Sequence, residues 1–286
     1  MTEPDESRGA SSLASRVRRR AVARAVLVVT SIVVLGGVAV GVWGSSRTTP
    51  SRAARPDPPC HVMGSSGAAF LDLEQAANAT TIAAVGKNLG IADHGVTIAL
   101  AAALQESGLH NLAYGDRDSL GLFQQRPSQG WGTPAQIMIP RRAAAAFYRR
   151  LARVTGWQAM QVTEAAQTVQ HSAAPDAYAQ WEPNARVLAE VLTGEVGGGL
   201  GCRTSVPPGG IRRDALAQSM IAELGSADLN SHGVAARGWT AVSWIVGHAR
   251  EFSIPTVTFS GQTWSAATGR WAPASTPSTD VSAITI

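Results

Sequence analysis

Apolar residues follow three different spacings along the chain. Residues 25–43, AVLVVTSIVVLGGVAVGVW, form an unbroken run without charge. At about 1.5 Å per residue it approaches a ~30 Å hydrocarbon core, which predicts one transmembrane anchor. From residue 72 onward the spacing is helical. Asp72 is placed to cap a helix to about Asn88, with Gln75 at the capping-box position and Gly90 as terminator. Ile91 to Gly108 holds a second, with Val96, Leu100 and Leu104 on one face. Thr133-Pro134 and Ile139-Pro140 read as caps followed by first-turn prolines, the second opening a helix to about Val154. Thr163 caps another through Val169. Pro175 opens a last one, closed by Gly194 and kinked or split at Pro183. No alternation of strand type is visible here, so 60–202 is expected to be an all-α domain. After residue 210 the pattern changes. Ile211 to Leu224 and Thr240 to Phe252 read as helices. Thr256–Phe259, Thr263–Ala266 and Gly269–Ala272 read as short strands joined by turns at Ser260-Gly261-Gln262 and Thr268-Gly269. The expected fold class is mainly α, with a small α+β module following the helical domain.

Two stretches cannot pack. Residues 44–59, GSSRTTPSRAARPDPP, have no apolar side chain larger than Ala, and 194–210 are rich in Gly and Pro. The predicted organisation is a basic tail (1–24), an anchor (25–43) and a linker (44–59). An α domain (60–202), a linker (203–210), an α+β module (211–273) and a Ser/Thr-rich tail (274–286) follow.

Charge divides unevenly across these segments. The net +4 arises before residue 60, where nine arginines face four acids; from there on fifteen basic residues meet sixteen acidic ones. The folded part therefore lacks the basic excess that nucleic-acid binding requires, and no nucleic-acid partner is expected. Arg16, Arg18, Arg19, Arg20 and Arg24 precede the apolar run, which puts the N terminus in the cytoplasm and the remainder outside the cell membrane. The rival reading is a signal peptide cleaved near Ala39-Val40-Gly41. Cys60 and Cys202 are the chain's two cysteines and bracket the helical domain; in an exported chain such a pair predicts a disulfide. The six histidines show no metal-ligand spacing, so neither a metal nor another cofactor is expected.

Candidate chemistry concentrates in residues 101–127, AAALQESGLHNLAYGDRDSLGLFQQRP. Glu106 ends an apolar helix whose Ala99, Ala102 and Ala103 let another segment approach closely. A carboxyl held against apolar surface resists ionisation and suits general-acid work. The alternative role is a helix-terminal carboxylate capping a loop. In Ser119-Leu120-Gly121-Leu122-Phe123-Gln124-Gln125, Gly121 permits close backbone approach, Phe123 fills a wall, and the glutamine amides suit sugar hydroxyls and acetamido groups. Trp131, in a Gln-Gly-Trp-Gly loop, could stack on a sugar. Trp157 and Trp181 read as core.

The run Glu106-Ser107, Asn111, Ala113, Ser119 and Gly121-Leu122-Phe123-Gln124 resembles the signature of the lytic transglycosylase and goose-type lysozyme group. The stretches GDRDSLGLFQQRPSQGWGTP and VQHSAAPDAYAQWE are similar to lysozyme-like domains secreted by high-GC Gram-positive bacteria. The resemblance covers about residues 68–195. It implies a lysozyme-like fold with a cleft for peptidoglycan glycan strands. It also implies Glu106 as the acid that protonates the glycosidic oxygen, with Ser107, Ser119, Gln124, Gln125 and Trp131 as candidate substrate contacts. The family's later box carries a tyrosine near the acid. Here the matching stretch is Val169-Gln170-His171-Ser172-Ala173; the tyrosine is missing, Tyr178 stands too far along, and Gln170 or His171 is left to fill that wall. Asp116 and Asp118 either hold a water for inverting hydrolysis or order their loop with Arg117 or Arg126. Transglycosylases need no second carboxylate, because the substrate's acetamido and 6-hydroxyl groups complete the reaction. Two functions follow as expectations: a membrane-anchored glycosidase acting on peptidoglycan outside the membrane, or a non-catalytic glycan-binding or scaffold module of a cell-envelope assembly.

Overall fold

Capping chemistry sets the helix starts most firmly. The computed structural model describes residues 58–172, 175–230, 234–275 and 282–286; the basic tail, the apolar run at 25–43 and the first linker up to residue 57 lie outside them. The Asp72 carboxylate accepts from the Gln75 amide at 2.8 Å and the Gln75 side chain accepts from the Asp72 amide at 2.8 Å, opening α1 (Leu73–Asn88). Helix α2 (Asp93–Ser107) ends at Gly108, whose φ of 61° is the left-handed conformation glycine adopts without strain. Every residue of α2 from Gly95 to Leu104 is buried, so this helix is enclosed on all sides. Short α3 (Pro134–Ile137) and then α4 (Pro140–Leu151) follow the two predicted prolines. Helix α5 (Val162–Gln170) is capped at Gln161, so Thr163 lies inside its first turn rather than at the cap. The stretch around Pro183 does split. Residues Pro175–Trp181 form a 3₁₀ helix, and α6 (Glu182–Leu192) restarts with Pro183 in its first turn, where a missing N–H costs nothing.

The expectation of an all-α domain over 60–202 is corrected. Strands β1 (Cys60–Met63), β2 (Ala68–Leu71) and β3 (Leu200–Cys202) form an antiparallel sheet in the order β2-β1-β3. Strands of three or four residues are too short to show a period of two, and β3 lies in the Gly-rich stretch where no strand is expected. Cys60 faces Cys202 directly across β1 and β3, and the predicted disulfide joins them.

The C-terminal elements are α7 (Arg213–Leu224), α8 (Ala235–Gly247), α9 (Ala249–Phe252) and a meander of β4 (Thr256–Phe259), β5 (Gln262–Ser265) and β6 (Arg270–Pro273). Helix α8 starts at Ala235, ahead of the predicted Thr240; its first turn, Ala235-Ala236-Arg237-Gly238, has no large apolar side chain to mark a period. Val257, Trp264 and Trp271 lie in one row across the meander. Trp264 is fully buried. The Trp271 Nε1 donates to Leu200 O at 2.8 Å and joins β6 to β3.

The segments on either side of 203–210 share one hydrophobic core, with α1 against α2 and α4 on one side and α7 and α8 on the other. A buried polar cluster crosses this junction. The Glu223 carboxylate accepts from Thr81 Oγ1 and from Trp244 Nε1, each at 2.7 Å, and His248 lies 3.3 Å from Thr81 Oγ1. Among the described residues no helix is long and apolar enough to cross a membrane.

Candidate active site

Glu106 occupies the last turn of α2, partly buried. Desolvation raises its pKa above the ordinary carboxyl range, opposed in part by hydrogen bonds from Tyr178 and Gln170 that favour the charged form. The Tyr178 hydroxyl donates to Glu106 Oε1 at 2.7 Å, and the ring is fully buried. Burial first, then the neighbouring Glu106 charge, pushes the phenol well above its usual value, so it stays a donor. Here the sequence-based expectation is corrected: a tyrosine does reach the acid, from the 3₁₀ helix at Pro175–Trp181 rather than from the end of α5. That helix is tied back to α2 by Trp181 Nε1 and Gln180 Nε2, which donate to Gln105 Oε1 at 2.8 and 3.1 Å. Linear spacing cannot reveal this fold-back. The one available signal was the pairing of Gln105 beside Glu106 with the polar-tipped aromatics Tyr178 and Trp181. Of the two residues expected at this wall, Gln170 is there, also donating to Phe123 O at 2.8 Å, whereas His171 is an exposed left-handed cap of α5.

Behind Glu106 the segment Leu120–Gln125 closes as a tight turn, with the Leu120 and Gln125 amides bonded to each other's carbonyls at 3.0 and 2.9 Å. Gly121 has φ 74°, and a Cβ there would sit 2.9 Å from Ile137 O, so conformation and space both demand glycine. Phe123 stacks on Phe147 with 4.9 Å between ring centroids. Ser107 fastens this turn to α2: its Oγ lies 2.8 Å from Leu122 O and 3.2 Å from Ala103 O. Gln124 is half-buried, with Nε2 directed at Gly121 O and Tyr114 O. Ser119 is buried. Gln125 is buried on the side facing α4, donating to Ala143 O at 3.0 Å. Trp131 is also buried, with the Arg150 guanidinium 3.4 Å over its ring. Thus Ser107 and residues 120–124 of the turn are gathered at the Glu106 end of α2, while the Gln125 and Trp131 side chains face another cavity. Trp157 is buried beside His94, as expected of a core residue.

The loop carboxylates differ sharply. Asp118 accepts from Arg126 Nε at 2.7 Å, Ser128 N at 2.8 Å and Ser128 Oγ at 3.0 Å, and these donors, the Ser128 amide foremost, hold its pKa far below the carboxylate range. It orders the loop. Asp116 is 93% exposed and 3.9 Å from Arg117. Among the described residues no group of three or more His, Cys, Asp or Glu side chains is arranged to hold a metal ion. No protein-family model and no curated protein matches the chain.

Tyr178→Phe isolates the hydroxyl's contribution. Losing a donor to the charged form should raise the Glu106 pKa further and move the alkaline limb of any Glu106-dependent activity to higher pH. Stability should fall by about 1 kcal/mol, the usual worth of one hydrogen bond. A pH–rate profile of the variant beside wild type is the measurement; an unmoved limb would separate Tyr178 from the acid.

Proposed function

We propose that the chain is a membrane-anchored peptidoglycan glycosidase of lytic transglycosylase or muramidase type, with Glu106 as general acid. The observation that carries this is the Glu106–Tyr178–Gln170 cluster, a carboxyl whose ionisation burial disfavours yet which has two donors to receive its charge after proton transfer. Tyr178 engages Oε1, and the carboxyl delivers its proton toward a glycosidic oxygen. Asp118, bound to Arg126 and Ser128, is a poor candidate for a water-activating base, and this favours the substrate-assisted, transglycosylase-type course over inverting hydrolysis. Gln124, half-buried on the turn near the acid, is the predicted residue we assign to meet an acetamido group. No cofactor enters this scheme. The run at 25–43 would hold the chain at the membrane with the folded part outside.

The test incubates the purified full chain with isolated peptidoglycan and analyses soluble products by mass spectrometry. Anhydro-sugar ends are expected; reducing ends would indicate hydrolysis. Binding without any release would overturn the enzyme reading and favour the glycan-binding or scaffold alternative. Placement is tested separately. A reporter fused after Ile286 should be active only outside the cytoplasm, and activity of a cytoplasm-only reporter would remove the wall-directed reading.

A further inference from the structure

The first sheet has an unusual outer face. Cys60, Val62, Ala69 and Leu71 turn into the core, so the alternate pairs His61–Phe70 and Met63–Ala68 lie on the opposite side of β1 and β2. The solvent side of an antiparallel sheet ordinarily carries polar residues. Here Phe70 is 64% and Met63 52% exposed, and neither strand contains an acid, a lysine or an arginine. This face forms a wall of an open depression of about 850 Å³, completed by Pro58, Gly198, Arg270 and Trp271. Burial first, then the Arg270 charge, holds the His61 pKa below its ordinary value, so the imidazole adds no charge at neutral pH. Arg270 is therefore the charged group among the lining residues, and it belongs to no ion pair among the described residues. No member of the Glu106–Tyr178–Gln170 cluster lines this depression.

The path of the chain indicates what covers it. Pro58, where the described part begins, lines the depression, and the apolar run ends at Trp43. The intervening residues 44–57 span at most about 50 Å when fully extended. They carry Arg47, Arg52 and Arg55 against the single acid Asp57. A bilayer holding the run therefore lies within reach of this face, with basic residues along the approach. Exposed Phe and Trp beside cations are what an anionic lipid surface takes up, the rings at headgroup level and the cations on phosphate.

We propose that the outer face of β1 and β2 docks on the anionic lipid surface next to the anchor. Phe70, Met63 and Trp271 enter the headgroup layer, and Arg270 pairs with lipid phosphate. This rests on the reading of residues 25–43 as a membrane anchor. A tethered face needs little affinity of its own, because the tether keeps its effective concentration high.

The experiment places the full chain, carrying Ala68→Cys with an environment-sensitive fluorophore, in vesicles of equal parts phosphatidylcholine and phosphatidylglycerol with brominated acyl chains. Cys60 and Cys202 are paired, so the added thiol takes the label. Tyr114→Cys, exposed and outside this face, is the reference. The chain should float with the vesicles, with the label quenched at 68 and not at 114. At an unchanged unfolding temperature, Phe70→Ser should lower the docked-to-free ratio about tenfold and Arg270→Gln about fivefold. Flotation with equal quenching at both positions, or indifference to Phe70→Ser, would overturn the docking and leave the anchor standing. A chain that does not float would overturn the anchor and the docking with it. Emission at 68 shielded from water without lipid quenching would assign the face to the linker or a second copy, and overturn the lipid assignment.

Discussion

Replacing Glu106 by Gln is expected to leave the fold intact and to reduce glycan cleavage by at least ~10²–10⁴-fold, the loss typical of removing a general acid. The amide keeps the shape and still accepts from the Tyr178 hydroxyl, but it has no proton to deliver. Glu106→Asp should also lose most activity, because one methylene fewer withdraws the proton from hydrogen-bond reach. The same Gln variant makes a prediction about stability. The folded-state pKa of Glu106 is raised by desolvation, so its folded state holds the proton more tightly than the unfolded chain does. That contribution is fully present below the unfolded value and is lost as pH rises through the folded one. Above that window wild type carries a buried charge and Gln does not. Thermal unfolding should therefore increasingly favour Glu106→Gln as pH rises through the folded-state pKa, with the advantage shrinking toward acid. A difference independent of pH would sink the claim that burial controls this carboxyl.

The second large effect concerns the disulfide. Cys60 and Cys202 are 142 residues apart in sequence. The chain-entropy model gives about 5 kcal/mol for a loop of this size, and native bridges deliver roughly 2–5 kcal/mol in practice. Against a total of about 5–15 kcal/mol for a typical domain, a Cys60→Ser, Cys202→Ser double variant should be severely weakened. Denaturant titration should show a lower midpoint. An unchanged midpoint would mean that the β1–β3 ladder and the core hold both ends unaided.

How much of this was legible in the sequence follows from the range of each determinant. The Asp72–Gln75 capping box and the Thr133 cap before Pro134 are local signals, and both appear as predicted; Gln136 completes a second box at Thr133. The C-terminal meander was readable for the same reason, since its strands adjoin in sequence and their turns contain Gly261 and Gly269. Strand β3 was not, because its partner lies at the far end of the region and its own three residues carry no pattern. At the site, Glu106 and the Gly121 turn stood out through residue type and neighbourhood. Tyr178 did not, because its approach depends on a 3₁₀ turn anchored by Trp181 to Gln105, a contact between residues with no sequence relation. Trp131 and Gln125 had the right chemistry for sugar recognition, but burial turns both toward α4. Residue type announces capability; only packing decides direction.

The central position of β1 has a consequence for how the chain acquires its structure during synthesis. One edge of β1 pairs with β2, a few residues later, while the other waits for Leu200–Cys202. Likewise the α1 surface that meets α8 has no cover until residue 247 has been made. An incomplete chain ending before residue 200 therefore presents an open strand edge and an uncovered helix face together, the two features that most promote association between nascent chains. The slow step should be the late meeting of distant ends rather than helix formation, and a chaperone that shields residues 60–63 would act in that interval.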